Sequence, residues 1–139
     1  MQITTHSYEE TFALAEQFAT KLKGGEVICL SGNLGAGKTA FSQGLAKGLG
    51  ITKVINSPTF VIMKLYDAKQ QTIKLLCHID AYRLNSAKDL ENIGALDYLY
   101  APDCVTIIEW PEIVQDILTK PYQKISIAIS ENTRIINII

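Results

Sequence analysis

LSGNLGAGKTAF, residues 30–41, closes one kind of sequence pattern and opens another. Upstream, EVICLSG (26–32) is a continuous apolar run of strand length that ends in glycine. Downstream, Phe41, Leu45 and Leu49 recur every fourth residue, which predicts a helix from Lys38 to Leu49. Between them Gly32 to Thr39 fits the phosphate-binding P-loop pattern of Gly, four residues, Gly, Lys and Ser/Thr. Glycines at 32, 35 and 37 allow the backbone to turn successive N–H groups inward, and the helix that follows aims the positive end of its dipole at the same place. Asn33, Leu34, Gly35, Ala36, Gly37, Lys38, Thr39 and Ala40 are therefore the candidate nucleotide contacts. Lys38 suits the β- and γ-phosphates, and the Thr39 hydroxyl suits a Mg²⁺ ion that bridges them.

Working outward, elements of both kinds alternate along the chain. HSYEETFALAEQFATKL (6–22) places Ser7 three residues before Glu10, a capping-box spacing, followed by Phe12, Ala15, Phe18, Ala19 and Leu22 on one helical face. TFVIMKLYD (59–67) and TIKLLCHID (72–80) flank AKQQ and predict a hairpin; SAKDLENIGALDYLY (86–100) predicts one or two short helices broken near Gly94. CVTIIEW (104–110) is another buried-strand run, PEIVQDILT (111–119) a helix opened by Pro111, and QKISIAIS and RIINII two strands around the turn ENT. The expected fold is α/β: a P-loop NTPase-like sheet, parallel in its centre and antiparallel at its edges, flanked by helices, in a single domain over 1–139.

Composition narrows the function classes. A formal charge of -1 supplies no general attraction to polyanions, which argues against a DNA-binding domain. MQITTHSYEE lacks the layout of a signal peptide and no apolar run is long enough to span a bilayer, so a cytoplasmic protein is expected. Cys29, Cys77 and Cys104 form no CxxC pair and sit in apolar runs, as buried structural cysteines do. Lys21, Lys23, Lys47 and Lys53 scatter around the first helices and read as solvated lysines.

Phosphate chemistry needs acids near the glycine loop, and two carboxylates follow apolar strand runs: Asp80 in CHIDAYRL and Glu109 in VTIIEWPE. Both belong at the carboxyl ends of strands, where ligands of open α/β sheets bind. His78, two residues before Asp80, shares its strand face; no second ligand at zinc spacing accompanies it, so orienting hydrogen bonds is its expected task. Thr59 in NSPTF precedes a strand and is a candidate γ-phosphate or Mg²⁺ sensor. Arg83 has three candidate partners: the phosphates, another protein or an acid such as Glu91.

Four segments in one order, GNLGAGKT, SPTF, HIDAYRL and IEWPE, closely resemble the small bacterial ATPase family TsaE, formerly YjeE. EET (9–11) and Arg134 resemble the same pattern, so the likeness covers essentially the whole chain. The resemblance implies an ATP- and Mg²⁺-dependent ATPase of tRNA threonylcarbamoyladenosine biosynthesis, acting with the transferase subunits TsaD and TsaB and meeting tRNA through them. It implies a phosphate-binding role for Lys38, Mg²⁺-associated roles for Thr39, Asp80 and Glu109, and a catalytic or water-positioning role for Glu109. It further places Thr59 in a switch-like loop and Thr11 near the adenine end. Trp110 reads equally as a stacking residue near nucleotide or partner and as a core or rim aromatic. The chain departs from the family where Ala95 and Leu96 replace a leucine followed by acids, and it runs only to RIINII, so no further tail contact is expected.

Two other classes use a P-loop. A small-molecule kinase clamps the moving phosphoryl group with several arginines, whereas this chain has only Arg83 and Arg134. A GTPase would carry an Asn-Lys-x-Asp segment, which is absent here. A nucleotide-binding module without turnover is the remaining alternative, and Glu109 discriminates it from an ATPase.

Overall fold

The computed structural model describes residues 1–139 apart from Leu34, Ser57, Thr59 and Phe60. Its strands are β1 (Gln2–Thr5), β2 (Val27–Ser31), β3 (Met63–Gln70), β4 (Ile73–Asp80), β5 (Cys104–Glu109), β6 (Gln123–Ser130) and β7 (Thr133–Ile138). Its α-helices are α1 (Tyr8–Ala19), α2 (Lys38–Gly48) and α3 (Ala87–Asn92). One seven-stranded sheet has the order β1-β7-β6-β2-β5-β4-β3. Pairings β6–β2, β2–β5 and β5–β4 are parallel, and β1–β7, β7–β6 and β4–β3 are antiparallel. The expected mixed α/β sheet, parallel at the centre and flanked by helices, is the observed one.

The central strands read as unbroken apolar runs because both of their faces are covered. Ile28, Leu30, Val105 and Ile107 pack with Phe41 and Leu45 in one cluster, while Val27, Cys29, Cys77 and Ile108 pack with Leu90 and Val114 in a second on the opposite face. Helix α1 starts where the Ser7 Oγ accepts from the Glu10 amide, 3.1 Å away. The Glu10 carboxylate accepts from the His6 amide at 2.7 Å, and that hydrogen bond holds its pKa below the ordinary carboxylate value. Helices α1 and α2 approach so closely that a Cβ on Gly44 would overlap the Phe12 carbonyl oxygen.

Four local details differ from the sequence expectation. Edge strand β1 was not anticipated; it pairs with β7 over only Gln2 to Thr5, too short a stretch for alternation to register. Strand β3 starts at Met63 and runs through Gln70, so the hairpin turn follows Gln70 rather than occupying AKQQ. The β3–β4 register shifts between Asp67 and Gln70, where the Lys69 amide leaves the ladder and donates to the Leu49 carbonyl at 2.8 Å. Pro111–Ile117 forms 3-10 turns rather than an α-helix: it is entered through Trp110 at φ 57 and interrupted at Val114, whose φ is -119 and ψ is 22. Seven residues broken in this way cannot repay the nucleation cost of an α-helix.

Candidate functional site

Register brings the site together. Leu30 of β2 faces Glu109 of β5, and Glu109 faces Asp80 of β4, so both carboxylates stand in one row beside the strand that feeds the glycine loop. Side chains paired across parallel strands share a face, and His78, two residues back from Asp80, shares it too. These three polar side chains are buried in an otherwise apolar row.

The glycine loop leads straight into α2. Gly37 occupies the N-cap position at φ 107, a left-handed conformation that favours glycine, and it offers no side chain to the helix. The first helical hydrogen bond runs from the Phe41 amide to the Gly37 carbonyl, 3.0 Å. The amides of the first turn therefore have no acceptor within the helix, and with the helix dipole they form an anion-binding end. A Cβ built on Gly35 would meet nothing within 4 Å, so open space lies over the loop.

That space is a cavity of about 660 Å³, inside the roughly 300–1,000 Å³ of small-ligand pockets. Its glycine-loop wall is Gly35, Gly37, Lys38, Thr39 and Ala40; the wall beside the strand ends is Asp80, Tyr82, Arg83, Glu109 and Trp110; and the third wall is formed by His6, Ser7, Tyr8, Thr11, Asn132 and Arg134.

Contacts within the site are specific. The His78 Nε2 lies 2.7 Å from Glu109 Oε2, with both side chains buried. Asp80 Oδ1 accepts from the Tyr82 amide at 3.0 Å, fixing the carboxylate against its own turn. Lys38 Nζ sits 4.3 Å from the centroid of the Trp110 ring, which itself packs against Tyr82 at 5.0 Å. Buried Lys38 thus has a cation–π partner inside the cavity.

A model of the family described as threonylcarbamoyl adenosine biosynthesis protein TsaE matches residues 5–136. The chain belongs to the TsaE family. It is 40% identical to the tRNA threonylcarbamoyladenosine biosynthesis protein TsaE of Bacillus subtilis (strain 168), over 87% of this chain and 72% of that one. It is 37% identical to the TsaE protein of Treponema pallidum (strain Nichols), over 93% and 92% of the two chains. The crystal structure of Bacillus subtilis YdiB superposes with a TM-score of 0.80 at 33% identity, covering 98% of this chain and 82% of that one.

Most of the expected site residues of this TsaE-family chain meet in the one cavity: Thr11, Gly35, Gly37, Lys38, Thr39, Ala40, Asp80, Arg83, Glu109, Trp110 and Arg134. Asn33 and Ala36 do not line it. Ala36 is buried in the core, and its amide donates to the Asn33 carbonyl at 3.0 Å, closing the loop on itself. Leu34 and Thr59 lie outside the described residues. The Thr11 hydroxyl is buried and bonded to Thr5 Oγ1 at 2.7 Å, tying α1 to β1 at the cavity wall. Sequence reasoning did not single out His6, Ser7, Tyr8, Tyr82 or Asn132 as site residues. The first three belong to the cap of α1, whose signal was legible as a cap and not as a wall. No helix among the described residues is long and apolar enough to cross a membrane.

Proposed function

We propose that this TsaE-family chain is an ATPase that serves threonylcarbamoyladenosine biosynthesis by supporting turnover of the transferase subunits TsaD and TsaB, with tRNA met through that assembly. The observation that carries the reading is the row of Asp80 and Glu109 beside a strand whose exit is an uncapped helix N-terminus holding Lys38.

In this reading the first-turn amides of α2 and the Lys38 ammonium take the phosphates. Lys38 exchanges its place on the Trp110 ring for the β- and γ-phosphate oxygens. The Thr39 hydroxyl and the Asp80 carboxylate, hard oxygen donors that both line the cavity, fit Mg²⁺ bound together with phosphate. Such an ion would neutralise charge on the β- and γ-phosphates when bound.

Glu109 orients a water toward the γ-phosphorus and takes one of its protons on the oxygen that His78 does not hold. The new oxygen–phosphorus bond forms as the bond to the bridging oxygen breaks, and that electron pair stays with ADP. Adenine is favoured over guanine because the guanine-reading segment is absent from the sequence. Two arginines leave few groups to stabilise transition-state charge, so the isolated chain turns over slowly and the transferase subunits raise its rate.

The test is to combine the chain with the two transferase subunits and follow phosphate release and tRNA modification over several turnovers. Glu109→Gln should bind ATP and lose hydrolysis. Wild-type hydrolysis in that variant would remove Glu109 from the chemistry and leave a nucleotide-binding module as the better reading.

A further inference from the structure

His78 Nδ1 is buried and has no hydrogen-bond partner among the described residues, whereas Nε2 of the same ring is bonded to Glu109. A neutral imidazole carries its proton on one nitrogen only, and the partners decide which. If Nδ1 carried it, a buried N–H donor would have no acceptor, and a doubly protonated ring would bury the same orphan with a charge. An unused acceptor lone pair is the more readily tolerated of these, since orphaned buried N–H groups are the rarer kind. The proton therefore belongs on Nε2, donated to Glu109 Oε2.

We propose that His78 is the positioning residue for Glu109: its Nε2–H anchors one carboxylate oxygen and turns the other toward the cavity. This rests on the reading of Glu109 as the residue that orients the attacking water. The strands make the arrangement rigid. His78 is opposite Ile107 in the β4–β5 ladder and Glu109 is opposite Asp80, so the bond runs diagonally across two paired strands over a sequence separation of 31. Both backbones are fixed by the parallel ladder, and both side chains are buried, which leaves the carboxylate little room to rotate once Oε2 is held. A bare Glu109 at the end of β5 would sample other rotamers and present its oxygens to the cavity only part of the time. Holding a reacting group in one orientation lowers the barrier without tightening substrate binding.

The chain in complex with the transferase subunits provides the test. His78→Ala should lower kcat about tenfold to a hundredfold, the range typical for partners that orient a site residue, with ATP affinity unchanged by calorimetry. His78→Gln, whose amide N–H replaces the donor, should recover most of the rate. In the Glu109→Gln background His78→Ala should add no further loss, because residues that act as a unit are not additive. A purely structural role would lower melting temperature and affinity together and would not be rescued by Gln.

Wild-type hydrolysis in Glu109→Gln overturns the role of Glu109 and, with it, that of His78. Lost hydrolysis in Glu109→Gln with none lost in His78→Ala overturns His78 alone, as does an equal further loss in the double variant. Nitrogen NMR of the His78 ring in the unmodified chain is independent of any variant's folding. It should show a protonated Nε2 and a bare Nδ1, and the opposite tautomer overturns the proposal.

Discussion

Lys38 Nζ stands 4.3 Å from the centre of the Trp110 ring, so the lysine at the helix entrance packs against the aromatic that follows Glu109. Trp110 is the only tryptophan in the chain, so tryptophan fluorescence reads this one position. Titration with ATP should change its fluorescence as Lys38 transfers from ring to phosphate. The change should be absent from Lys38→Ala at the same concentrations. An unaltered spectrum at saturating nucleotide, with binding verified by calorimetry, would mean that Lys38 stays on the ring.

In the proposed function Lys38→Ala also removes a charge-assisted contact to phosphate, a loss worth about 1.5–3 kcal/mol. The cation–π contact given up on binding offsets part of that gain, about 0.5–2 kcal/mol depending on desolvation. The midpoints of the two ranges leave about 1 kcal/mol, so Lys38→Ala should bind ATP about fivefold more weakly. Calorimetry that returned wild-type affinity would exclude Lys38 from the phosphate site.

The central sheet was readable because its strands are buried on both faces and so appear as runs dominated by apolar residues, such as VICL and CVTII. Asp80 and Glu109 were readable for the same reason: each is the first acid after such a run. Which oxygen meets which nitrogen was not readable. The His78–Glu109 bond depends on the β4–β5 register, a pairing between strands distant in sequence that the pattern within either strand does not encode. His6, Ser7 and Tyr8 escaped notice as cavity residues because their placement follows from α1 packing on α2, a tertiary contact that the capping pattern does not encode. The 3-10 turns after Pro111 and the bulge in β3 show the limit of local periodicity: Trp110 and Lys69 have their backbones set by tertiary neighbours.

Gly44 marks where that helix packing is tightest. A Cβ there would overlap the Phe12 carbonyl oxygen and lie 3.0 Å from the Ala15 Cβ. Backbone cannot yield as a flexible side chain can, so Gly44→Ala should destabilise by about 1–3 kcal/mol despite the better helix propensity of alanine. Urea denaturation should show a lower midpoint with little change in slope. Since α1 carries the His6–Thr11 wall, ATP affinity should fall as well; an unchanged midpoint would mean that the two helices separate at no cost.

Burial raises the thiols of Cys29 and Cys77 from an ordinary value of 9.0 to about 12. For Cys29 the nearby Glu112 adds to this and Lys124 opposes it; for Cys77 the neighbouring Cys104 adds and a Thr106 hydrogen bond opposes. Because the folded values lie above the unfolded ones, the unfolded chain releases protons first as pH rises. The contribution of these thiols to stability is thus complete below pH 9 and is lost progressively toward pH 12. Urea midpoints measured through that window should fall, and the fall should be shallower when both cysteines are replaced by alanine, which cannot ionise. Below it, thiol reagents should modify neither cysteine until the chain unfolds. Equal pH slopes for the two proteins would show that other groups carry the alkaline transition.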